Sequence, residues 1–303
     1  MIGEAELRRC AARWGVDPMV ADLDYSLGWF IVALYSANEV AGRLCFKGGT
    51  CLRKCYFADY RFSEDLDFTA TVRLSPDRLL EWVEQATRWA AEMDGPDYRA
   101  SPPRLETVQD EYGSETYQVR VYYRGPLRWG GNPRAIRLDV TREERLGLPP
   151  VTRRLIHPYS DGPVLAQAEI ACYTLIEVLA EKVRAVGGQR RFAISRDIYD
   201  IHGLVQSGVT VADIVPLLPA KFKVRGLDIE SLNVEHVIAR RAAFEDDWNR
   251  RLSHLIHGVG AVIFDVAWET TVDVLRQVEE GLMKQPPASH VPHTEGDASN
   301  ART

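Results

Sequence analysis

The sequence predicts an α+β fold, with strands confined to the first half of the chain and a mainly helical second half. Three observations carry this. The four segments that read as strands, 44–46, 65–69, 117–124 and 134–140, all precede residue 141. Gly147-Leu148-Pro149-Pro150 then punctuates the chain. From about residue 164 the apolar spacing is that of helices. A boundary is therefore placed between 155 and 163, giving one domain over 1–158 and a helical one over 159–284. Residues 285–303 are rich in Pro, Ser, His and Asn and are expected to be a disordered tail.

Residues 4–14 and roughly 20–42 have helical periodicity. In the second, Leu23, Leu27, Phe30, Ile31, Leu34 and Tyr35 recur at steps of three and four, with Gly42 as the expected stop. Leu44-Cys45-Phe46 is a short apolar strand that runs into Lys47-Gly48-Gly49-Thr50, and a helix is expected to open at Thr50. Asp65-Leu66-Asp67-Phe68-Thr69 alternates with period two, as a strand does. Ser75-Pro76-Asp77 supplies an N-cap, a first-turn proline and an early acid for a helix running to about Met93. Tyr117–Arg124 and Arg134–Val140 alternate strongly and are expected to form an antiparallel hairpin across a Gly- and Pro-rich link. Helices are expected at 164–186, 194–207, 210–217, 228–255 and 260–283.

The composition, 46% hydrophobic and 26% charged with a mean hydropathy of -0.22, is that of a soluble globular protein. At 303 residues it has a core large enough to dispense with disulfides. The N-terminal stretch MIGEAELRRCAARWG is charged and amphipathic, unlike a secretory signal, and the apolar run Leu27–Tyr35 is too short to cross a bilayer. No membrane partner is expected. The five cysteines include no CxxC pair, so reduced thiols in a cytoplasm are expected. Cys51 and Cys55 read as packing thiols beside a loop more readily than as metal ligands. A net charge of -6 excludes indiscriminate nucleic-acid binding. Two basic stretches, Arg134 to Arg154 and Lys182 to Arg196, nevertheless permit a polyanionic substrate.

Chemistry concentrates between Lys47 and Asp67. A strand entering two glycines and a helix start exposes backbone N–H groups to which a phosphate can come close, and Thr50 adds a hydroxyl. Alone, such glycines more often mark only a tight turn. Asp65 and Asp67 add weight: residues i and i+2 of a strand share a face, roughly 7 Å apart at about 3.3 Å per residue. Two like charges so placed repel unless a cation sits between them, and magnesium prefers such hard oxygen ligands. Solvated acids on a surface strand are the plain alternative, but Phe62, Leu66 and Phe68 mark an element facing a core. Asp139, opposite in orientation to Ile136, Leu138 and Val140, is the candidate third carboxylate; an ordinary solvent-facing acid is its alternative. The spacing of His254 and His257 permits metal binding but lacks a third ligand.

The segment KGGTCLRKCYFADYRFSEDLDF resembles the GGT-to-DxD signature of the AbiEii toxin family, which includes MenT-type toxins. The later segment LAEKVRAVGGQRRFAISRDIYDIHGLV is similar to that family's second block, Glu-Lys, basic residues, then Arg-Asp-x-x-Asp. The resemblance spans roughly residues 20 to 275. It implies a polymerase β-like nucleotidyltransferase domain with a mixed sheet, completed by the helical domain. It also implies the toxin half of a type IV toxin–antitoxin system, with a cognate antitoxin as partner. MenT-branch members transfer nucleotides, pyrimidines preferentially, to the 3′ end of tRNA, which blocks aminoacylation and so translation.

By the same resemblance Gly48, Gly49 and Thr50 would cradle the nucleotide phosphates, and Asp65 and Asp67 would hold Mg2+; Asp139 joins them as the metal ligand expected from its strand face. Lys182 would reach the triphosphate, and Asp197 would either orient Lys182 or help to activate the acceptor hydroxyl. Asp200 looks more like a structural partner. Arg61 and Arg196 are substrate or scaffold arginines, Arg61 being placed with the nucleotide-binding set, and Lys47 would touch phosphate or merely face solvent. Read without the family, Lys182 is a solvated helix lysine and Asp197 a helix-start acid stabilised by the dipole. Two other functions stay open: nucleotide transfer to a protein or small molecule, and a catalytically silent module that binds RNA or a partner.

Overall fold

A computed structural model describes residues 1–283 apart from 38, 110–114, 129, 143, 189–190 and 259–261. The tail expected at 285–303 lies outside the described residues. Among those described, no helix is long and apolar enough to cross a membrane.

The chain opens with two helices, α1 (Glu4–Trp14) and α2 (Pro18–Tyr35). The Asp17 side chain caps α2 by accepting from the Met19 N–H, and Pro18 begins it where no N–H is required. α2 ends at Tyr35, short of the expected 42, and Gly42 instead turns the chain with φ +78°. β1 (Leu44–Lys47) leads into α3 (Gly48–Cys51), two residues earlier than Thr50 suggested, and α3 continues through one π-turn over Leu52–Tyr56. β2 (Asp65–Ala70) and α4 (Pro76–Glu92) follow, the latter capped by Ser75 as its sequence indicates. β3 (Asp97–Gln109), β4 (Glu115–Arg124) and β5 (Arg134–Thr141) form a meander, with β4 and β5 antiparallel as expected.

β3 was not legible, because Ser101-Pro102-Pro103 reads as a breaker. It lies at the sheet edge, where a missing N–H leaves no ladder bond unmade, and its register shifts twice around those prolines. The expected helix over 164–186 is divided: α5 (Gly162–Leu165), then β7 (Glu169–Cys172), then α6 (Leu175–Gly187). Four residues are too few for a periodicity to show. β7 is a strand because β1 and β6 (Val151–Arg154) pair with its two sides.

The seven strands run in the order β3-β4-β5-β2-β1-β7-β6. β2–β5 and β1–β7 are parallel and the other pairs antiparallel, so the sheet is mixed. It draws strands from both sides of residue 158. Period two then sorts the side chains. Leu44 and Phe46, Leu66 and Phe68, and Ile136, Leu138 and Val140 all enter one core with α1, α2 and α4. Each fully buried aliphatic or aromatic side chain there contributes about 1.5–3 kcal/mol. The intervening residues Lys47, Asp65, Asp67, Arg137 and Asp139 face the other way.

A second core, under that other face, is built from α6, α7 (Ser195–Gln206), the short helices α8 (Val211–Ile214), α9 (Leu218–Lys223), α10 (Val234–Ala239) and α11 (Arg241–Asp247), and α12 (Phe264–Met283). The single helix expected over 228–255 is broken where Asn233 caps α10 and again at Arg240. One buried ionic centre ties the α3 turn to α2: Asp24 holds Arg53 Nε at 2.6 Å and Lys54 Nζ at 2.7 Å.

Candidate active site

Three adjacent strands bring the acids together. Parallel pairing of β2 with β5 sets Asp67 directly opposite Asp139 and Asp65 opposite Arg137, while antiparallel β1 sets Lys47 opposite Asp67. All open into a cleft of about 320 Å³ that also receives Gly48, Gly49, Arg61, Lys182, Arg196 and Asp197. Residues as far apart in the chain as Lys47 and Arg225 thus converge, among them those of the two sequence blocks. Thr50 is buried outside the cleft lining, where its hydroxyl donates to the Asp65 carbonyl and fixes the start of β2.

The glycines have a tighter reason than loop flexibility. Gly48 sits at φ +77°, and a Cβ there would stand 2.3 Å from Asp67 Oδ2. A Cβ on Gly49 would stand 2.2 Å from Arg61 Nη2. The Asp67 carboxylate and the Arg61 guanidinium therefore rest on bare backbone. Gly48→Ala is expected to lose about 1–2 kcal/mol through the left-handed backbone alone and more through the contact with Asp67. Thermal denaturation should show a drop of several degrees, and an unchanged midpoint would remove this account of Gly48.

Lys182, on α6, is not a solvated lysine. Its Nζ lies 2.6 Å from Asp197 Oδ1 and 2.9 Å from Asp200 Oδ2. Burial works against its charge, but those two carboxylates hold its pKa above the ordinary lysine value. Asp200, the structural partner, is fully buried and also takes Arg61 Nε at 2.8 Å and Nη2 at 2.7 Å. Against the opposing effect of burial, Arg61 and Lys182 bring its pKa down to about 2. Arg61 is thereby committed to Asp200 along one edge while it lines the cleft. Asp197 stands in the first turn of α7, whose start is held by Asp247 accepting from both N–H and hydroxyl of Ser195 at 2.8 Å.

Lys47 is likewise buried, with Nζ 2.6 Å from Glu144 Oε2 and 3.6 Å from Glu181 Oε2. Lys221 completes that group, 2.5 Å from Glu177 and 3.2 Å from Glu181. Neither Glu144 nor Lys221 carried any local signal in the sequence. Arg137 did, through the strand face it shares with Asp139. It lies 2.6 Å from Asp65 Oδ2 and 3.2 Å from Asp139 Oδ2, and Gln118 donates to Asp139 Oδ1 at 3.0 Å.

The two basic stretches do not act as two surfaces. Arg134 packs over Tyr123, Arg142 over Tyr117 beside Glu115, and Arg153 over Tyr56. Arg153 and Arg154 are on β6, at the far edge of the sheet from β5. Arg137, Lys182, Arg184 and Arg196 instead line the acidic cleft, where Arg225 joins them.

Asp65, Asp67 and Asp139 all have raised pKa values. Burial is the main cause for each; Asp65 then adds to the rise of Asp67, and Asp67 to that of Asp139. No hydrogen bond or ion pair from the described residues reaches the Asp67 carboxylate, although it is bracketed by acids on the same face. A hard divalent cation suits this donor set, since it needs few protein carboxylates and prefers oxygen. Among the described residues the histidines assemble no such group; the one cluster of His, Cys, Asp or Glu atoms close enough to hold an ion in common is of cysteines, away from the cleft.

No curated protein matches the chain. Among solved structures, a protein from H. pylori described as a nucleotidyltransferase is 15% identical, with a TM-score of 0.49 over 89% of this chain and 98% of its own. An antigenic nucleotidyltransferase-like protein from Paracoccidioides brasiliensis is 16% identical, with a TM-score of 0.35 over 77% of this chain and 94% of its own. The family model described as "Nucleotidyl transferase AbiEii toxin, Type IV TA system" matches residues 29–274, which include every side chain of the cleft. With that span matched, the chain belongs to the AbiEii family of nucleotidyltransferase toxins.

Proposed function

We propose that the cleft transfers a nucleotide from a nucleoside triphosphate, pyrimidine ones preferentially, to the 3′ end of tRNA, releasing pyrophosphate and blocking translation. The observation that carries this reading is the convergence of Asp65, Asp67 and Asp139 beside the Gly48-Gly49 turn. Those carboxylates would supply ligands to Mg2+, although the three do not lie close enough together in this structure to share one ion. The ion would neutralise triphosphate charge and lower the pKa of an attacking hydroxyl when bound.

The remaining residues bind and orient. Gly48 and Gly49 let phosphate oxygens approach the backbone at a helix start, where N–H groups are unpaired. Lys182 serves the triphosphate as a point charge, and Asp197 orients it, with Asp200 fixing both Lys182 and Arg61 from behind. Arg184, Arg196 and Arg225 give the same cleft an anion-facing wall, suited to the triphosphate and to the acceptor's phosphates. The tRNA acceptor and the pyrimidine preference are supported by the resemblance of the two sequence blocks, and the cytoplasmic setting by the five free cysteines. The cognate antitoxin is supported by the family as a whole.

The test offers the purified chain each of four labelled triphosphates with Mg2+, and tRNA, cellular protein and aminoglycosides as parallel acceptors. Label is expected in tRNA, from CTP or UTP, and only while divalent cation is present. Label in protein or aminoglycoside alone would reassign the acceptor. Magnesium-dependent triphosphate binding without any transfer would reduce the chain to a binding module.

A further inference from the structure

The cleft is on one face of the sheet, and a second cluster of donor atoms lies behind it on the other. Cys51 ends α3, Cys55 lies in the π-turn, and Cys172 ends β7. All three are buried free thiols in the first core, and their sulfurs lie within 4.8 Å of one another. Cys51 and Cys55, four residues apart in helical backbone, share one helix face, which is what delivers two of the sulfurs together. Cys172 comes from a strand whose pairing partner is Phe46, just ahead of the phosphate turn.

The surroundings select the ligand. Nearby oxygens are already engaged: the Tyr35 hydroxyl with the Leu44 and Ala171 carbonyls, and the Tyr56 hydroxyl with the Tyr173 carbonyl. Among the described residues, no carboxylate or imidazole joins the three sulfurs. Hard cations such as Mg2+ gain little from such donors, whereas soft thiolates favour Zn(II) and Cu(I). A metal–sulfur bond of about 2.3 Å places three sulfurs of a trigonal site about 4 Å apart, within the separation found.

We propose that Cys51, Cys55 and Cys172 form a three-thiolate site for one thiophilic d10 cation, Zn(II) or Cu(I). Binding replaces three S–H bonds by three metal–sulfur bonds and releases three protons to solvent, with no change of oxidation state. The weak hydrogen bond from Cys172 Sγ to the Ile170 carbonyl at 3.5 Å is given up with its proton. Because Cys51 closes the helix that Gly48 opens, the bound ion would clasp the phosphate turn to β7 from the face away from substrate. This site does not depend on which acceptor the cleft uses.

Reduced full-length protein is incubated anaerobically with Zn(II) or, separately, Cu(I), desalted, and assayed for metal by mass spectrometry. Wild type should retain about one equivalent of at least one of these metals and gain several degrees of thermal stability with it. Cys51→Ala and Cys172→Ala should retain almost none and gain nothing, while Asp67→Asn should retain as much metal as wild type. Should the alanine variants fail to fold, Cd(II)-loaded wild type supplies the measurement, through sulfur-to-metal charge-transfer absorption of three-thiolate intensity. No retained metal and no such absorption in wild type would overturn the proposal. So would undiminished retention by the two alanine variants, or a native mass two hydrogens light from a disulfide among these cysteines.

Discussion

An Asp67→Asn protein is expected to fold normally and to lose nucleotide transfer by about 10³-fold or more, the rate equivalent of the several kcal/mol that a bound divalent ion supplies to phosphoryl-transfer transition states. Asp67 is singled out because it sits between its two fellow acids, opposite Asp139 and two residues from Asp65, and rests on the bare backbone of Gly48. The same substitution should leave stability unharmed. Burial and the neighbouring Asp65 charge raise the Asp67 pKa, so the folded chain keeps this proton to higher pH than the unfolded chain does. Metal-free stability therefore falls as pH rises through the folded pKa, and asparagine removes that fall. Without divalent cation at mildly alkaline pH, the melting midpoint of Asp67→Asn should equal or exceed that of wild type. Unimpaired transfer would dismiss the carboxylate role, and a marked loss of midpoint would show that Asp67 is chiefly a structural group.

Asp200→Asn is expected to do the reverse, damaging the fold before the chemistry. Asp200 is the shared counter-ion of Arg61 and Lys182 in a fully buried place, and it also accepts from the Tyr60 hydroxyl at 3.1 Å. Removing one partner of a buried ionic group leaves the others uncompensated and costs about 3–5 kcal/mol. For a chain of this size that lowers the melting midpoint by roughly 5–8 °C. The pH dependence has a definite sign. Folding depresses the Asp200 pKa to about 2, from about 3.9 in an unfolded chain. Its contribution, on the order of 2 kcal/mol from this shift, is complete above about pH 4 and is lost as pH falls toward about 2. The gap between wild type and variant should narrow over that window, and equal stability at pH 7 would dispose of the buried-counter-ion account.

Residues acting through their neighbours explain why parts of the site were hidden. Asp65 and Asp67 were legible because period two puts them on one face whatever the rest of the fold does, and Asp139 was legible by the same rule on its own strand. Glu144 and Lys221 were not. Each is a single charged residue in unpatterned sequence, and only packing of α6 and α9 against the sheet makes them partners of Lys47, Glu177 and Glu181. The cysteines show the same limit: the spacing of Cys51 and Cys55 was visible, but the third sulfur arrives on β7, a strand that the sequence presented as helix.

Local rules thus determined what each short segment is by itself: the capped start of α4, the alternating hairpin strands, the glycine turn and the faces that its acids share. These follow from backbone geometry and desolvation within a few residues, so the sequence displays them directly. Tertiary structure alone decided the order of the strands, the Asp67–Asp139 register, the edge placement of β3 and the capture of Lys182 and Arg61 by Asp200. Those outcomes depend on pairing between distant segments, whose free energy comes from burying surfaces that no single stretch of chain contains.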